Sequence, residues 1–227
     1  MKHLKHIFFD LDHTLWDFEK NSTLAFERIF EENKVAVQVA DFMTVYNPIN
    51  QDYWKLYQVN QVSHQELRYG RLKDTFDALG YSIKDELINQ FSDNFIAYLP
   101  LNNHLIEGTI DTLNYLRNKY TLHIITNGFA HVQETKMTNS NLISYFKTIT
   151  NSEMAGNKKP HASIFDFALN LAQANKKESV MIGDSWEADV MGALDYGIQA
   201  IYFNPERSIA NKSVVEISKL IELKSIL

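Results

Sequence analysis

Asp10 and Asp12 stand one residue apart at the end of an apolar run, with Ile7-Phe8-Phe9 before them and Leu11 between. Carboxylates that close repel unless a cation or a shared proton compensates, which points to a hard ion such as Mg²⁺ or to a raised pKa on one of the pair. Three later stretches carry complementary groups. Thr126-Asn127-Gly128 offers a hydroxyl and exposed main-chain donors suited to a phosphate oxygen. Gly156-Asn157-Lys158-Lys159-Pro160 offers an ammonium just ahead of a proline that fixes the backbone before a helix. Gly183-Asp184-Ser185-Trp186-Glu187-Ala188-Asp189 carries two acids five positions apart. Each stretch alone also has an ordinary reading: a solvated turn, a plain Thr-Asn-Gly turn, a loop charge, a helix cap. Together they gather carboxylates, a hydroxyl and an ammonium from four loops.

The elements that must position these groups are legible from periodicity. Residues 7–11 read as a strand buried on both faces, as in parallel sheets, with the acids at its carboxyl end. Further strands are expected at 122–126, 148–151, 180–182 and 200–203, and helices at 109–119, 131–138, 163–174 and 187–196. A C-terminal helix is expected from Val214. Strands alternating with helices imply right-handed crossovers and an α/β fold with a Rossmann-like parallel sheet. Ligands of such sheets bind outside the strands' carboxyl ends, where all four stretches fall.

Residues 17–97 show helical patterns and no clear strand, so they read as an inserted domain of four or five helices, with 1–16 and 98–227 as the core domain. Asn21 and Ser22 are candidate N-caps ahead of Leu24, Phe26, Ile29 and Phe30, and Pro48 is expected to break or restart the next segment. Tyr53, Trp54, Leu56 and Tyr57 form an aromatic stripe expected in the helical core. Ser63-His64-Gln65-Glu66 has capping-box form, and Gly80 ends the helix that follows.

Composition removes several function classes. A net charge of −6 argues against non-specific nucleic-acid binding and leaves no basic patch for a membrane surface. No cysteine is present, so neither disulfides nor thiolate chemistry is available. No stretch approaches the roughly 20 apolar residues of a membrane span. The basic start Met1–Lys5 and the apolar run after it resemble a secretory signal only until Asp10 and Asp12 interrupt. A cytoplasmic protein is expected, as monomer or homodimer. The eight histidines form no spaced metal pair.

The ordered set resembles the haloacid dehalogenase (HAD) superfamily of phosphotransferases. Its four motifs read here as Asp10-Leu11-Asp12-His13-Thr14, Ile124-Ile125-Thr126, Lys159, and Gly183-Asp184 with Asp189, across residues 5–204. The resemblance implies a HAD-like core with an inserted helical cap of the C1 type that closes over substrate. It makes Asp10 the nucleophile that forms an aspartyl-phosphate, and Asp12 the acid and base for leaving group and water. Mg²⁺ would be held by Asp10, Asp184 and the main-chain carbonyl of Asp12. Thr126, Lys159, Asn127 and Gly128 would hold the phosphate, and Asp189 would orient Lys159 or a metal-bound water. Lys158 competes with Lys159, but the motif favours the latter. Dehalogenases of this superfamily lack an acid at the position of Asp12, so a phosphate ester is favoured over a haloacid.

Within the superfamily the chain is similar to pyrimidine 5′-nucleotidases, in Phe8-Phe9-Asp10, Ile125-Thr126-Asn127-Gly128-Phe129, Asn47 to Trp54 and Gln65 to Arg71. The implied substrate is a nucleoside monophosphate, with Trp16, Phe18, Tyr53, Trp54 or Tyr57 as candidate base-stacking groups. Arg68 and Arg71 either touch substrate or are solvated helix-face charges, the second being the expectation. Two other readings remain: a phosphatase or mutase for a sugar phosphate or phosphoglycolate, and a phosphoaspartate signalling receiver.

Overall fold

The structure, a computed structural model, describes residues 3–206 and 214–227, so Met1 and Lys2 of the basic start lie outside the described residues. Strand β1 (His6–Phe9) comes first, followed by four helices, α1 (Phe18–Asn33), α2 (Val39–Gln58), α3 (His64–Ala78) and α4 (Asp85–Tyr98). Next come α5 (Thr109–Leu116), β2 (Thr121–Thr126), α6 (Ala130–Asn139), β3 (Thr148–Asn151), α7 (Ser152–Ala155) and α8 (Ala162–Ala172). The last stretch holds β4 (Ser179–Gly183), a π-helical turn (Trp186–Met191), α9 (Gly192–Tyr196), β5 (Gln199–Phe203), β6 (Val215–Ile217) and α10 (Leu223–Ile226).

The chain divides into two compact units: one runs up to Asp17 and resumes at His104, and the other is Phe18–Asn103. The second unit extends past residue 97 because α4 continues to Tyr98 and a 3-10 turn, Leu99–Leu101, follows it.

Among the described residues of the first unit, six strands run parallel in the order β3-β2-β1-β4-β5-β6. The chain starts at the centre, works outward to β3, then returns beside β1 and works outward the other way. That reversal opens a crevice at the carboxyl end of β1. Phe9 is level with Ile124 on one side and Ile182 on the other, so the residues just beyond β1, β2 and β4 arrive together. Ile7, Phe8 and Phe9 are fully buried, which is why this strand reads as an unbroken apolar run. One face packs Phe8, Ile125 and Met181 against Ile164, Phe165, Ala168 and Leu169 of α8. Burying a side chain the size of Phe165 stabilises by roughly 1.5–3 kcal/mol.

The expected C-terminal helix is replaced at its start by β6, which pairs with β5 at the sheet edge. Val214-Val215-Glu216-Ile217 is β-branched and alternating, a pattern that fits an edge strand better than a helix.

The second unit is a helical body whose core is mostly aromatic. Phe26 meets Phe42 and Phe95 with ring centroids 4.7 and 4.6 Å away, and Phe30, Phe76 and Phe91 close the cluster. Ser63 and Glu66 form the capping box at the start of α3, each satisfying the other's backbone donor. Helix α2 runs through Pro48 without a break, and Asn21 and Ser22 lie inside α1 because it begins at Phe18. The stripe of Tyr53, Trp54 and Tyr57 is half-buried on α2, outside the aromatic core. Arg71 is not a solvated charge: it is buried, and its guanidinium donates to Asn50 Oδ1 at 2.8 Å. Arg68 is held by Ser92 and by an ion pair with Asp93.

Candidate active site

The loop after β1 turns back tightly, and that turn aims its side chains. Leu11 C=O accepts from both Leu15 N and Trp16 N at 2.9 Å, while His13 N donates to Trp16 O. His13 takes a left-handed conformation, φ 62°, to allow the turn. Thr14 then reaches across to β4, donating to Asp184 Oδ1 at 3.0 Å and accepting from Asp184 N at 3.1 Å. The threonine of the D-x-D-x-T stretch therefore fixes the acid that follows β4.

Lys159 is buried and uses all three of its ammonium protons. They go to Asp10 Oδ1 at 2.6 Å, Asp189 Oδ1 at 2.6 Å and Ile125 O at 2.7 Å. Lys158, the competing lysine, stays half-exposed. Asn127 holds the main chain of Lys159 from both sides, accepting from its N–H at 2.7 Å and donating to its C=O at 2.9 Å. The Asn127 side chain is thus committed to placing Lys159. Asp189 turns inward from the π-helical turn, and its second oxygen accepts from Ser185 N at 3.1 Å. Gly183 must lack a side chain, because a Cβ there would overlap the Asp189 carboxylate.

Thr126 ends β2 with its hydroxyl oxygen accepting from Gly128 N at 3.2 Å and from Gln133 Nε2 at 2.7 Å. Its own proton has no acceptor among the described residues and is available to an incoming oxygen. Gln133 also donates to Asp12 Oδ2 at 2.9 Å, and Lys136 donates to Asp12 Oδ1 at 2.6 Å. Both oxygens of Asp12 are therefore held from α6. Gln133 Oε1 is buried without a partner among the described residues, an arrangement that costs on the order of 1–3 kcal/mol. Gly128 packs under this glutamine, and a Cβ there would overlap the amide.

Burial pushes Asp10 up to about 7, against the opposing pull of Lys159. Burial likewise raises Asp184 to about 6, opposed by His13. Asp189 is also raised by burial and pulled back by Lys159. Burial alone would lower Lys159, but Asp10 and Asp189 outweigh it and hold the ammonium above the usual lysine range.

Carboxylate oxygens of Asp10, Asp184 and Asp189 lie within 4.8 Å of one another. This all-oxygen donor set fits a hard divalent cation, whose charge would favour the ionised form of carboxylates that burial raises. The Asp12 carboxylate is not a member of that cluster and is held instead by Gln133 and Lys136 of α6.

The structure thus brings Asp10, Thr126, Lys159, Asp184 and Asp189 to one edge of the sheet, with Asn127 and Gly128 supporting them. It removes Trp16 from the candidate base-stacking groups, because that ring is fully buried and its indole N–H donates to Ser140 Oγ at 3.2 Å. Phe18 is buried as well. Sequence reading missed Gln133 and Lys136. Their spacing of three places them on one helix face, but only the path of α6 past Asp12 gives that face a partner.

The family model for haloacid dehalogenase-like hydrolases matches residues 7–203. The pyrimidine 5′-nucleotidase PynA of Streptococcus pneumoniae is 31% identical over 88% of this chain and 84% of its own. The pyrimidine 5′-nucleotidase YjjG of Escherichia coli is 29% identical over 97% of this chain and 96% of its own. The magnesium-bound crystal structure of YfnB from Bacillus subtilis is similar with a TM-score of 0.89 at 29% identity, covering 99% of each chain. With the motif residues gathered on one sheet edge and a family match across most of its length, the chain belongs to the haloacid dehalogenase-like hydrolases.

Proposed function

We propose that this hydrolase removes the 5′-phosphate from pyrimidine nucleoside monophosphates, with Mg²⁺ as cofactor and Asp10 as nucleophile. The observation that carries the reading is the asymmetric hold on Asp10. Lys159 ties down Oδ1, while Oδ2 has no hydrogen-bond partner among the described residues. A carboxylate held at one oxygen is aimed for attack by the other.

In this reading Asp10 Oδ2 bonds to phosphorus as the phosphorus–oxygen bond to the nucleoside breaks. Asp12, ion-paired with Lys136, first takes up a proton and then gives it to the departing oxygen, which leaves as an alcohol. Water then attacks phosphorus and yields a proton to Asp12, the bond to Asp10 breaks, and inorganic phosphate is released. The Thr126 hydroxyl donates to a phosphoryl oxygen as charge redistributes. Lys159 acts by fixing Asp10, and Asn127 and Asp189 act by fixing Lys159. Gly128, donating to Thr126, orients the hydroxyl. Asp10, Asp184 and the main-chain carbonyl of Asp12 would hold Mg²⁺, which when bound screens the nucleophile from the phosphate dianion.

The pyrimidine preference rests on the likeness to PynA and YjjG. A panel of phosphorylated metabolites assayed with Mg²⁺ for free phosphate tests it. Pyrimidine deoxynucleoside monophosphates should lead, with nucleoside released in equal amount. A sugar phosphate at the head of the panel overturns the substrate, and an isomeric ester formed without free phosphate points to a mutase.

A further inference from the structure

We propose that Lys136 and Gln133 are the positioning residues of the proton-transferring carboxylate Asp12, and through it govern departure of poor leaving groups. The inference rests on the phosphatase reading above. It starts from the two contacts that together take both oxygens of Asp12, from Lys136 Nζ at 2.6 Å and Gln133 Nε2 at 2.9 Å. Both residues belong to α6 and lie on one face of it.

Lys136 is only 2% exposed. Its ammonium sits 4.4 Å from the centroid of the Trp16 ring, which is itself anchored to Ser140. A buried ammonium needs a partner, and here Asp12 supplies the negative charge. Gln133 turns its amide nitrogen to Asp12 Oδ2, the oxygen that Lys136 leaves open. The same nitrogen reaches Thr126, so one amide ties the proton-transferring residue to the phosphate-facing hydroxyl. The outcome is a buried Oε1 on Gln133 with no partner among the described residues, which apolar packing would have avoided. Stability alone does not account for that choice, whereas fixing Asp12 and Thr126 relative to each other does.

A carboxylate freed from this clamp reaches the leaving oxygen in fewer encounters, and a misplacement of about 1 Å costs on the order of 10²-fold. The loss should depend on how much the leaving group needs a proton. An alkoxide such as a nucleoside 5′-oxygen needs one, whereas p-nitrophenolate does not.

The test uses the full chain with Mg²⁺. It compares kcat/KM for deoxyuridine monophosphate and for p-nitrophenyl phosphate in the parent, Lys136→Met, Lys136→Arg and Gln133→Leu. Lys136→Met should lower the nucleotide value by on the order of 10²-fold, and roughly tenfold more than the aryl value. Lys136→Arg should recover most of the nucleotide rate, and Gln133→Leu should show the same bias more weakly. Equal losses on the two esters, or no loss, would overturn the inference while leaving the phosphatase reading standing. If Lys136→Met fails to fold, the ester ratios of the other two variants decide in the same way. A parent that frees phosphate from neither ester overturns both.

Discussion

Lys159 shows how little freedom the site allows a single side chain. Three protons meet three acceptors, two of them acids, and the amide of Asn127 pins the backbone that carries them. Asp10→Asn would turn one of those acceptors into a neutral amide and take away the nucleophile. We expect phosphate release to fall by on the order of 10³-fold or more while the melting temperature stays near the parent's; normal turnover would remove Asp10 from its role. Gly128→Ala probes the neighbouring arrangement. The added methyl overlaps Gln133, so the amide must leave Asp12 and Thr126. Activity should drop on the order of 10²-fold with far-ultraviolet dichroism unchanged, and an unaffected rate would show that Gln133 does not need its observed position.

Among the elements, β1 and β2 join at a titratable contact remote from the catalytic acids. His123 is buried on β2, stacks on Phe8 at 4.6 Å, and bonds to Thr148 Oγ1 at 2.7 Å and His6 at 3.1 Å. Burial pushes its imidazole down to about 3, with His6 and Lys147 acting in the same direction. The folded chain keeps the ring neutral, whereas the unfolded chain takes up a proton near its ordinary value of about 6.5. Stability is therefore full above about pH 6.5 and falls as pH drops toward about 3, by about 2 kcal/mol at pH 5. Urea midpoints should show this decline in the parent and a flatter profile in His123→Phe, which keeps the ring against Phe8. Identical pH profiles for the two would sink the assignment. On α3, Ser63→Ala should cost about 1 kcal/mol by removing the capping box, read as a lower urea midpoint.

At the scale of the whole molecule, the sheet order decides where charge accumulates. Strands β1, β2 and β4 lie side by side, so acids and donors from distant parts of the chain arrive at one crevice. The carboxylates raised there should gain from a divalent ion. Mg²⁺ is expected to raise the melting temperature, with a stabilisation of about 2.7 kcal/mol at a hundredfold excess over its Kd. Asp184→Asn should abolish that shift in calorimetry, and EDTA should stop phosphate release. An ion-independent melting curve in the parent would count against the metal site.

The parallel α/β core was legible because β1 and β4 are buried on both faces and so appear as unbroken apolar runs ending in acids. The capping box at Ser63 was legible because its chemistry is local. Other features were not. Val215–Ile217 forms a strand because β5 offers it an edge, and Pro48 sits within a continuous helix because one missing N–H does not outweigh the buried contacts of Phe42 and Tyr46. Gln133 and Lys136 carry no motif, and their meaning depends on which residue α6 passes. Residue types and their order along the chain determined which chemistry was available, since those properties are written one position at a time. Tertiary structure alone decided which groups hold Asp12, bury Arg71 and withdraw Trp16, because contact between residues far apart in sequence depends on how the elements pack.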